Sequence, residues 1–368
     1  MTAPLRALAR VDLGAISANC ALLKRTVGEG TRLCAVVKAD GYGHGAAEAA
    51  RAARAGGAEW LAVATAREAA GLRTAGLDGP ILVMGALSAS ELAMAVEAEA
   101  DVVAWREGFV AAVPAGAQVG VHVKYDTGMG RLGTRDAEEA VGVARAVAAR
   151  DDLRLAGAMT HFATADDDPA FLAEQLASFA PWAAAVRAEF GPEVLVHAAN
   201  SAAVLREPGA RFDLVRCGIA IYGMDPFQAD ASAHGLRPAL ELRSYVAEVK
   251  RIAPGQSAGY GRRFVASQPG WIGTVPIGYA DGVRRGLTHS GLTVAIEGRR
   301  HPLVGTVSMD NVTVDLGPDA AAARALRGAG VTLLGGPGPS AEDWARRLET
   351  INYEVTCGIS ARVPREHV

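Results

Sequence analysis

The sequence predicts an α/β protein: a (β/α)8 barrel, TIM-like, followed by a mainly β C-terminal domain. Three observations carry this. Eight short apolar runs, rich in Val, recur between residues 32 and 223, mostly separated by Ala-rich amphipathic stretches. The polar residues on those runs gather at their C-terminal ends. After about residue 235 the alternation gives way to segments broken by Gly and Pro turns. At 368 residues the chain is long enough for such a barrel and an addition.

The runs are RLCAVVKA (32–39), EWLAVAT (59–65), PILVMG (80–85), DVVAW (101–105), VGVHVKYDT (119–127), LRLAGAMTHF (153–162), VLVHAAN (194–200) and LVRCGIAIYG (214–223). They are near-continuously apolar, as strands buried on both faces must be. After the first run, HGAAEAARAARAGG reads as a helix closed by a glycine pair. Between the sixth and seventh, PAFLAEQLASFAPWAAAVRAEF sets Leu172, Leu176, Phe179 and Val186 at helical spacing. Strands alternating with helices imply βαβ units and a parallel sheet. Count alone leaves a doubly wound open sheet standing beside the barrel. A barrel places its chemistry at the C-terminal ends of its strands. There the runs carry Lys38 (first), Lys124 and Asp126 (fifth), His161 (sixth) and Asn200 (seventh). Beyond residue 235, LELRSYVAEVKRI, WIGTVPIGYADG, LTVAIEGRRHPLVGTVSMDNVTVDL and VTLLGG read as strands, and SAEDWARRLETI as a helix capped by Ser340. The domains are expected at 1–235 and 236–368, with residues up to about 10 packing with the second domain.

Half of the residues are apolar, 21% are charged and the net charge is −3, so nucleic-acid binding has no electrostatic support. MTAPLRALARVDL lacks a signal-peptide core, and no apolar run approaches a membrane span. The four cysteines (20, 34, 217, 357) form no C-x-x-C pair, which fits free thiols in a reducing cytoplasm. The eight histidines show no metal-ligand spacing, so no metal is expected. No G-x-S-x-G follows a strand, which removes that hydrolase class.

The first run ends in CAVVKADGYGHG (34–45). A lysine at a strand end ordinarily snorkels to water. At a barrel mouth with apolar walls it becomes a carbonyl-trapping amine. The loop after it has neither G-x-G-x-x-G nor G-K-[ST], so it is neither a dinucleotide fingerprint nor a P-loop. AVVKADGYGHG resembles the pyridoxal-phosphate attachment motif of alanine racemases. TGMGRLG (127–133), HFATAD (161–166), HAANSAA (197–203), RCGIAIYG (216–223), GYGRRF (259–264), PIGYADG (276–282), VSMD (307–310) and INYEVTCGISARVPR (351–365) resemble that family in the same order, over essentially the whole chain.

The resemblance implies that Lys38 holds pyridoxal 5'-phosphate, and that racemisation of L- and D-alanine uses two bases. These are Lys38 for the D-enantiomer and Tyr260 for the L-enantiomer. A tyrosine titrating near 10 needs a partner that lowers it, and His161 resembles the residue that contacts Tyr260. Arg216 resembles the residue facing the pyridine nitrogen, with His197 as its partner. Arg only donates, so it leaves that nitrogen unprotonated. Ser201, Gly218, Ile219, Tyr42 and Tyr353 resemble the phosphate contacts, and Asn200 is grouped with the cofactor site. Ser201 also reads as a helix N-cap. Arg131 and Met309 resemble the substrate-carboxylate contacts. Lys124 resembles a lysine that is carbamylated in many members. Tyr279 and Asp166 resemble residues lining the access corridor, where Thr306 replaces a frequent basic residue and puts the corridor's charge in question. His44 has no role in this reading. The family's shared sites imply a homodimer in which Tyr260, Tyr279 and Met309 serve the partner subunit, and a part in D-alanine supply for peptidoglycan. A cofactor carrier would resemble the barrel alone, and residues 236–368 speak against it. A broader-specificity racemase and a decarboxylase of the same architecture are the nearer alternatives.

Overall fold

The computed structural model describes residues 5–368. Residues 1–4, the start of the segment expected to pack with the second domain, lie outside the described residues. The chain divides into two compact units. One holds Ile16–Phe227 and Ser232–Leu236; the other holds the N-terminal segment to Ala15, Gln228–Ala231 and Arg237–Val368.

The first unit is the barrel. Its strands are β2 (Arg32–Val36), β3 (Trp60–Val63), β4 (Ile81–Val83), β5 (Asp101–Ala104), β6 (Val119–Lys124), β7 (Leu153–Met159), β8 (Leu195–His197) and β9 (Leu214–Cys217). All eight are parallel, in the order β8-β7-β6-β5-β4-β3-β2-β9. The ring comes close to closing between β8 and β9, where Asp213 N–H donates to Val196 O (3.1 Å) and Arg216 N–H to Ala199 O (2.9 Å). Each strand falls inside one of the eight apolar runs. A strand with helices outside and side chains inside has no wet face, so its sequence shows no polar alternation.

Helices follow the strands, and their ends are written in the sequence. Ala46–Ala55 stops at Gly56, where a Cβ would collide with the Ser17 carbonyl. Ala66–Thr74 and Ala89–Glu97 start with capping boxes, Thr65 with Glu68 and Ser88 with Glu91. Pro169–Phe190 starts with Asp168 as cap and Pro169 at its first position, and buries Leu172, Phe179 and Val186. No helix among the described residues is long and apolar enough to cross a membrane.

The second unit is mainly β. Its nine-stranded sheet runs β11-β14-β17-β16-β15-β18-β10-β1-β19. Here β1 is Leu8–Val11, β10 Leu240–Tyr245, β11 Glu248–Ile252, β14 Gly270–Val275, β15 Thr293–Ile296, β16 Arg299–Val304, β17 Val312–Gly317, β18 Gly330–Leu334 and β19 Arg365–His367, while β12 (Ser257–Ala258) and β13 (Phe264–Val265) form a separate antiparallel pair. The N-terminal strand β1 pairs antiparallel with β10 and parallel with β19. Ser340 caps the helix Ala341–Leu348 through a capping box with Asp343.

Candidate active site

Lys38 follows β2 by two residues, and the chain then enters a left-handed turn: Ala39 (φ 51°), Asp40 (52°), Gly41 (62°) and Tyr42 (54°). Three of these four are not glycine, and each such residue costs roughly 1–2 kcal/mol in that region. The turn is held by several contacts. Gly41 N–H donates to Val37 O (2.9 Å), Ala39 N–H to Glu68 Oε1 (2.7 Å) and Ala46 N–H to Asp40 Oδ1 (3.0 Å). His44, for which the sequence offered no role, lies with Nδ1 3.0 Å from both the Gly41 and Tyr42 carbonyls. Two acceptors at one nitrogen require the proton on Nδ1. Its ring stacks on Tyr222 at 4.4 Å, and the Tyr222 hydroxyl donates to Val36 O at the end of β2 (3.0 Å). His44 therefore clamps the loop that follows Lys38.

The turn buries Tyr42 and brings its hydroxyl to Gly218, where a Cβ would collide with it. Ser201 Oγ accepts from Gly218 N–H (3.1 Å) and Ala220 N–H (3.3 Å), so its own hydroxyl hydrogen is the remaining donor. The expectation that Ser201 caps the following helix is corrected. The cap is Asn200, whose Oδ1 accepts from Ala203 N–H (3.0 Å), and Ser201 is the first helical residue. That frees the Ser201 hydroxyl for the β9 loop and commits the Asn200 carbonyl oxygen to the helix. The Ile219 N–H makes no hydrogen bond among the described residues.

Arg216 lies on β9, 3% exposed. Its Nη1 donates to His197 Nδ1 (2.7 Å); its Nη2 donates to the carbonyls of Thr160 (2.7 Å) and Ala198 (3.0 Å) and to His161 Nδ1 (3.3 Å). Because Arg cannot accept, His161 carries its proton on Nε2. Burial, reinforced by the positive charges of Arg216, Lys124, Arg131 and Lys38, holds His161 far below the usual imidazole range, so it is neutral. Burial likewise brings Arg216 down to about 10.

Lys124 ends β6 and is 4% exposed. Burial, then Arg131 and Arg216, push its amine down to about 8, against the opposing pull of Asp126. Arg131 is exposed and has no ion pair or hydrogen bond among the described residues. The loop that carries it is organised by buried Asp126, which accepts from Gly128 N–H (3.2 Å) and Gly130 N–H (3.0 Å) and pairs with Arg135 (3.5 Å). Asp166 is exposed in the loop after β7.

The barrel thus gathers Lys38, Tyr42, Lys124, Arg131, His161, His197, Asn200, Ser201, Arg216, Gly218 and Ile219 at one end. Tyr353 lies in a helix of the β unit, Asn352–Cys357. Tyr260, Tyr279 and Met309 also belong to that unit and are among its exposed large apolar side chains, at 73%, 41% and 52%. They sit on adjoining turns. Tyr279 N–H donates to Ser308 O and Ala280 N–H to Met309 O, both at 3.0 Å. Arg362 spans Asp281 (3.1 Å) and Asp310 (2.7 Å), and so ties the Tyr279 loop to the Met309 loop. Thr306 is buried, and its hydroxyl donates to the Tyr260 carbonyl (2.7 Å). It supports the Tyr260 turn rather than presenting its hydroxyl to solvent. Asp126, Asp281, Arg362 and His44 all lie inside the motifs quoted above, but a motif does not show what a carboxylate or imidazole holds.

The donors fit pyridoxal phosphate. The Tyr42 and Ser201 hydroxyls and the Ile219 N–H lie together beside Gly218, a polar cradle of a kind a phosphate group would fit, and a side chain on Gly218 would fill it. The Arg216 Nη1 and Nη2 groups are committed to His197, His161 and the Thr160 and Ala198 carbonyls, and its Nε–H makes no hydrogen bond among the described residues, so a donor remains for a ring nitrogen. A parallel barrel with an amine, a buried arginine and this donor set at the C-terminal end of its strands, followed by a β unit, defines a barrel enzyme for a phosphorylated cofactor.

The profile "Alanine racemase, N-terminal domain" matches residues 11–226, and "Alanine racemase, C-terminal domain" matches residues 239–367. The alanine racemase of Thermobifida fusca is 43% identical over 97% of this chain and 96% of its own length. Alanine racemase 1 of Bacillus subtilis is 40% identical over 97% of this chain and 92% of its own. The crystal structure of alanine racemase from E. faecalis superposes with a TM-score of 0.91 at 38% identity, covering 98% of both chains. The chain belongs to the alanine racemase family, whose members are pyridoxal-phosphate-dependent isomerases.

Proposed function

We propose that this protein interconverts L- and D-alanine using pyridoxal phosphate held on Lys38, as a cytoplasmic homodimer that supplies D-alanine for peptidoglycan. The observation that carries the reading is full-length similarity to alanine racemases, with Lys38 on the rim that also holds His161 and Arg216. Bound there, the cofactor supplies an electron sink that makes the α-proton of an amino acid removable.

The residue roles are those the family resemblance implies, set on this chain's own groups. Ser201, Gly218, Ile219, Tyr42 and Tyr353 hold the phosphate, with Asn200 ordering the segment that carries Ser201. Arg216 donates to the ring nitrogen. Being donor-only and charged, it leaves that nitrogen unprotonated, which weakens the sink and limits side reactions. Arg131 through its side chain and Met309 through its backbone orient the substrate carboxylate. Tyr279 and Asp166 line the approach. Lys38 Nζ, freed once substrate displaces it, moves the proton on one face of the α-carbon, and Tyr260 Oη of the partner subunit moves it on the other. Each positioned base contributes roughly 10²–10⁴-fold. Neutral His161, with its proton on Nε2, is a donor to the Tyr260 phenolate.

The test of the assignment is α-hydrogen exchange in deuterated water. Tyr260→Phe should stop washout from L-alanine while leaving part of the washout from D-alanine. Equal washout from both enantiomers in that variant would refute the two-base assignment.

A further inference from the structure

Arg216 is a buried cation that touches no carboxylate among the described residues. Its path to one runs down the barrel interior. His197 Nδ1 accepts from Arg216, and His197 Nε2 lies 2.8 Å from His122 Nδ1 on β6. His122 Nε2 lies 3.3 Å from Asp101 Oδ2 at the start of β5, and Asp101 pairs with Arg154 on β7 (3.2 Å). Both imidazoles are fully buried, and the Arg154 side chain, 62% exposed, is where the series reaches water.

The fold makes room for these groups. On β7, a Cβ at Gly157 would collide with His122 Nδ1; on β6, one at Gly120 would collide with Asp101 Oδ2. The β6–β7 ladder shifts register between Val121 and His122, which re-aims the His122 ring. Gly120 N–H also donates to Asp101 Oδ1 (3.0 Å).

Elementary donor counting fixes every proton. Arg216 can only donate, so His197 Nδ1 is bare and its proton is on Nε2. That proton points at His122 Nδ1, which must then also be bare, so His122 carries its proton on Nε2 and donates it to Asp101. A doubly protonated His122 would leave two N–H groups, or an imidazole with no proton, facing each other along the series. Burial alone would raise the Asp101 carboxyl, yet His122, Arg154 and the Gly120 N–H hold it below the usual range, so it is the anion. The series also cannot pass protons to the mouth, because Arg216 at its end accepts none.

We propose that Asp101, at the far end of the barrel interior, is the remote counter-charge of Arg216. On this view His122 and His197 are positioning residues, neutral and each protonated on Nε2, that keep Arg216 aimed as a fixed donor at the cofactor's ring nitrogen. The aim at that nitrogen rests on the function proposed above; the proton pattern does not.

The test uses holoenzyme labelled with 15N-histidine, the 1H–15N correlations of His122 and His197, and alanine exchange kinetics. Both residues should show the Nε2–H form. Asp101→Asn, which keeps the shape and removes the charge, should move the His122 and His197 resonances and lower kcat about 10-fold with KM little changed, as outer-shell carboxylate–histidine pairs do. Arg154→Gln, at an exposed pair, should change kcat less than about 2-fold. An Nδ1–H or doubly protonated form of either histidine in the unsubstituted protein would overturn the proposal, even if Asp101→Asn fails to fold. So would an Asp101→Asn protein with unchanged His197 resonances and unchanged kcat. Correct tautomers in a protein that does not turn over alanine would instead refute the proposed function and leave the proton pattern standing.

Discussion

Thr306→Val replaces a buried hydroxyl by a methyl of the same shape and removes one hydrogen bond, that to the Tyr260 carbonyl at 2.7 Å. Tyr260 is 73% exposed, so water can reach its carbonyl once the hydroxyl is gone. The cost is then the net value of one neutral hydrogen bond, about 1 kcal/mol, rather than the full penalty of a stranded buried acceptor. The restraint matters because the turn is otherwise permissive: Gly259 (φ 76°), Gly261 (71°) and Arg262 (49°) surround Tyr260. If the whole 1 kcal/mol is expressed in the reacting geometry of Tyr260, the rate through that residue falls about 5-fold. The assay is α-deuterium exchange from each enantiomer of alanine, alongside thermal unfolding. Thr306→Val should slow exchange from L-alanine about 5-fold and exchange from D-alanine less, with a Tm change of at most about 4 °C. Thr306→Ser, which keeps the hydroxyl, should restore the rate to within about 2-fold. Equal slowing of both enantiomers, or a Ser variant as impaired as the Val variant, would refute the assignment of Thr306 to the Tyr260 turn.

Four further outcomes are expected. Lys124, pushed down to about 8 by burial, titrates below its ordinary value of 10.5, so the unfolded chain binds more protons between those values. Stability from this group therefore rises with pH across that window, and Lys124→Met should flatten the rise in a denaturation series. The same shift leaves neutral amine available to react with carbon dioxide. A carbamate carbon resonance should appear in protein equilibrated with 13C-bicarbonate and vanish in Lys124→Met; a bare ammonium in electron density would contradict it. His44→Leu removes the donor to the Gly41 and Tyr42 carbonyls, about 1 kcal/mol, and should weaken pyridoxal phosphate binding about 5-fold in a fluorescence titration. Sedimentation should give twice the chain mass, and dilution to monomer should abolish activity, since Tyr260 is proposed to serve the partner's site.

The barrel was legible because its strands are largely buried on both faces and so read as near-continuous apolar runs, as in Cys34-Ala35-Val36 and Trp60–Val63. Lys38 was legible because a charge at the end of such a run has few places to go. The left-handed turn after it was not, since Ala39, Asp40 and Tyr42 adopt a conformation that only Gly41 signals. The cap at Asn200 was misplaced by one residue because Asn and Ser are both good caps, and only the bonds from Gly218 and Ala220 to Ser201 decide between them. His122 was invisible as a functional residue. A lone histidine in VGVHVK has no local partner, and its contacts, His197 and Asp101, come from strands far away in sequence. Thr306 drew notice only as a departure in a motif; the hydrogen bond it makes lies 46 residues away.

The central claim is tested most directly by incubating the purified protein with pyridoxal phosphate and L-alanine and following D-alanine by chiral chromatography. The account predicts D-alanine accumulating until the two enantiomers are equal, with Lys38→Ala inactive. Release of carbon dioxide from the amino acid, or no D-alanine from cofactor-loaded protein, would contradict it.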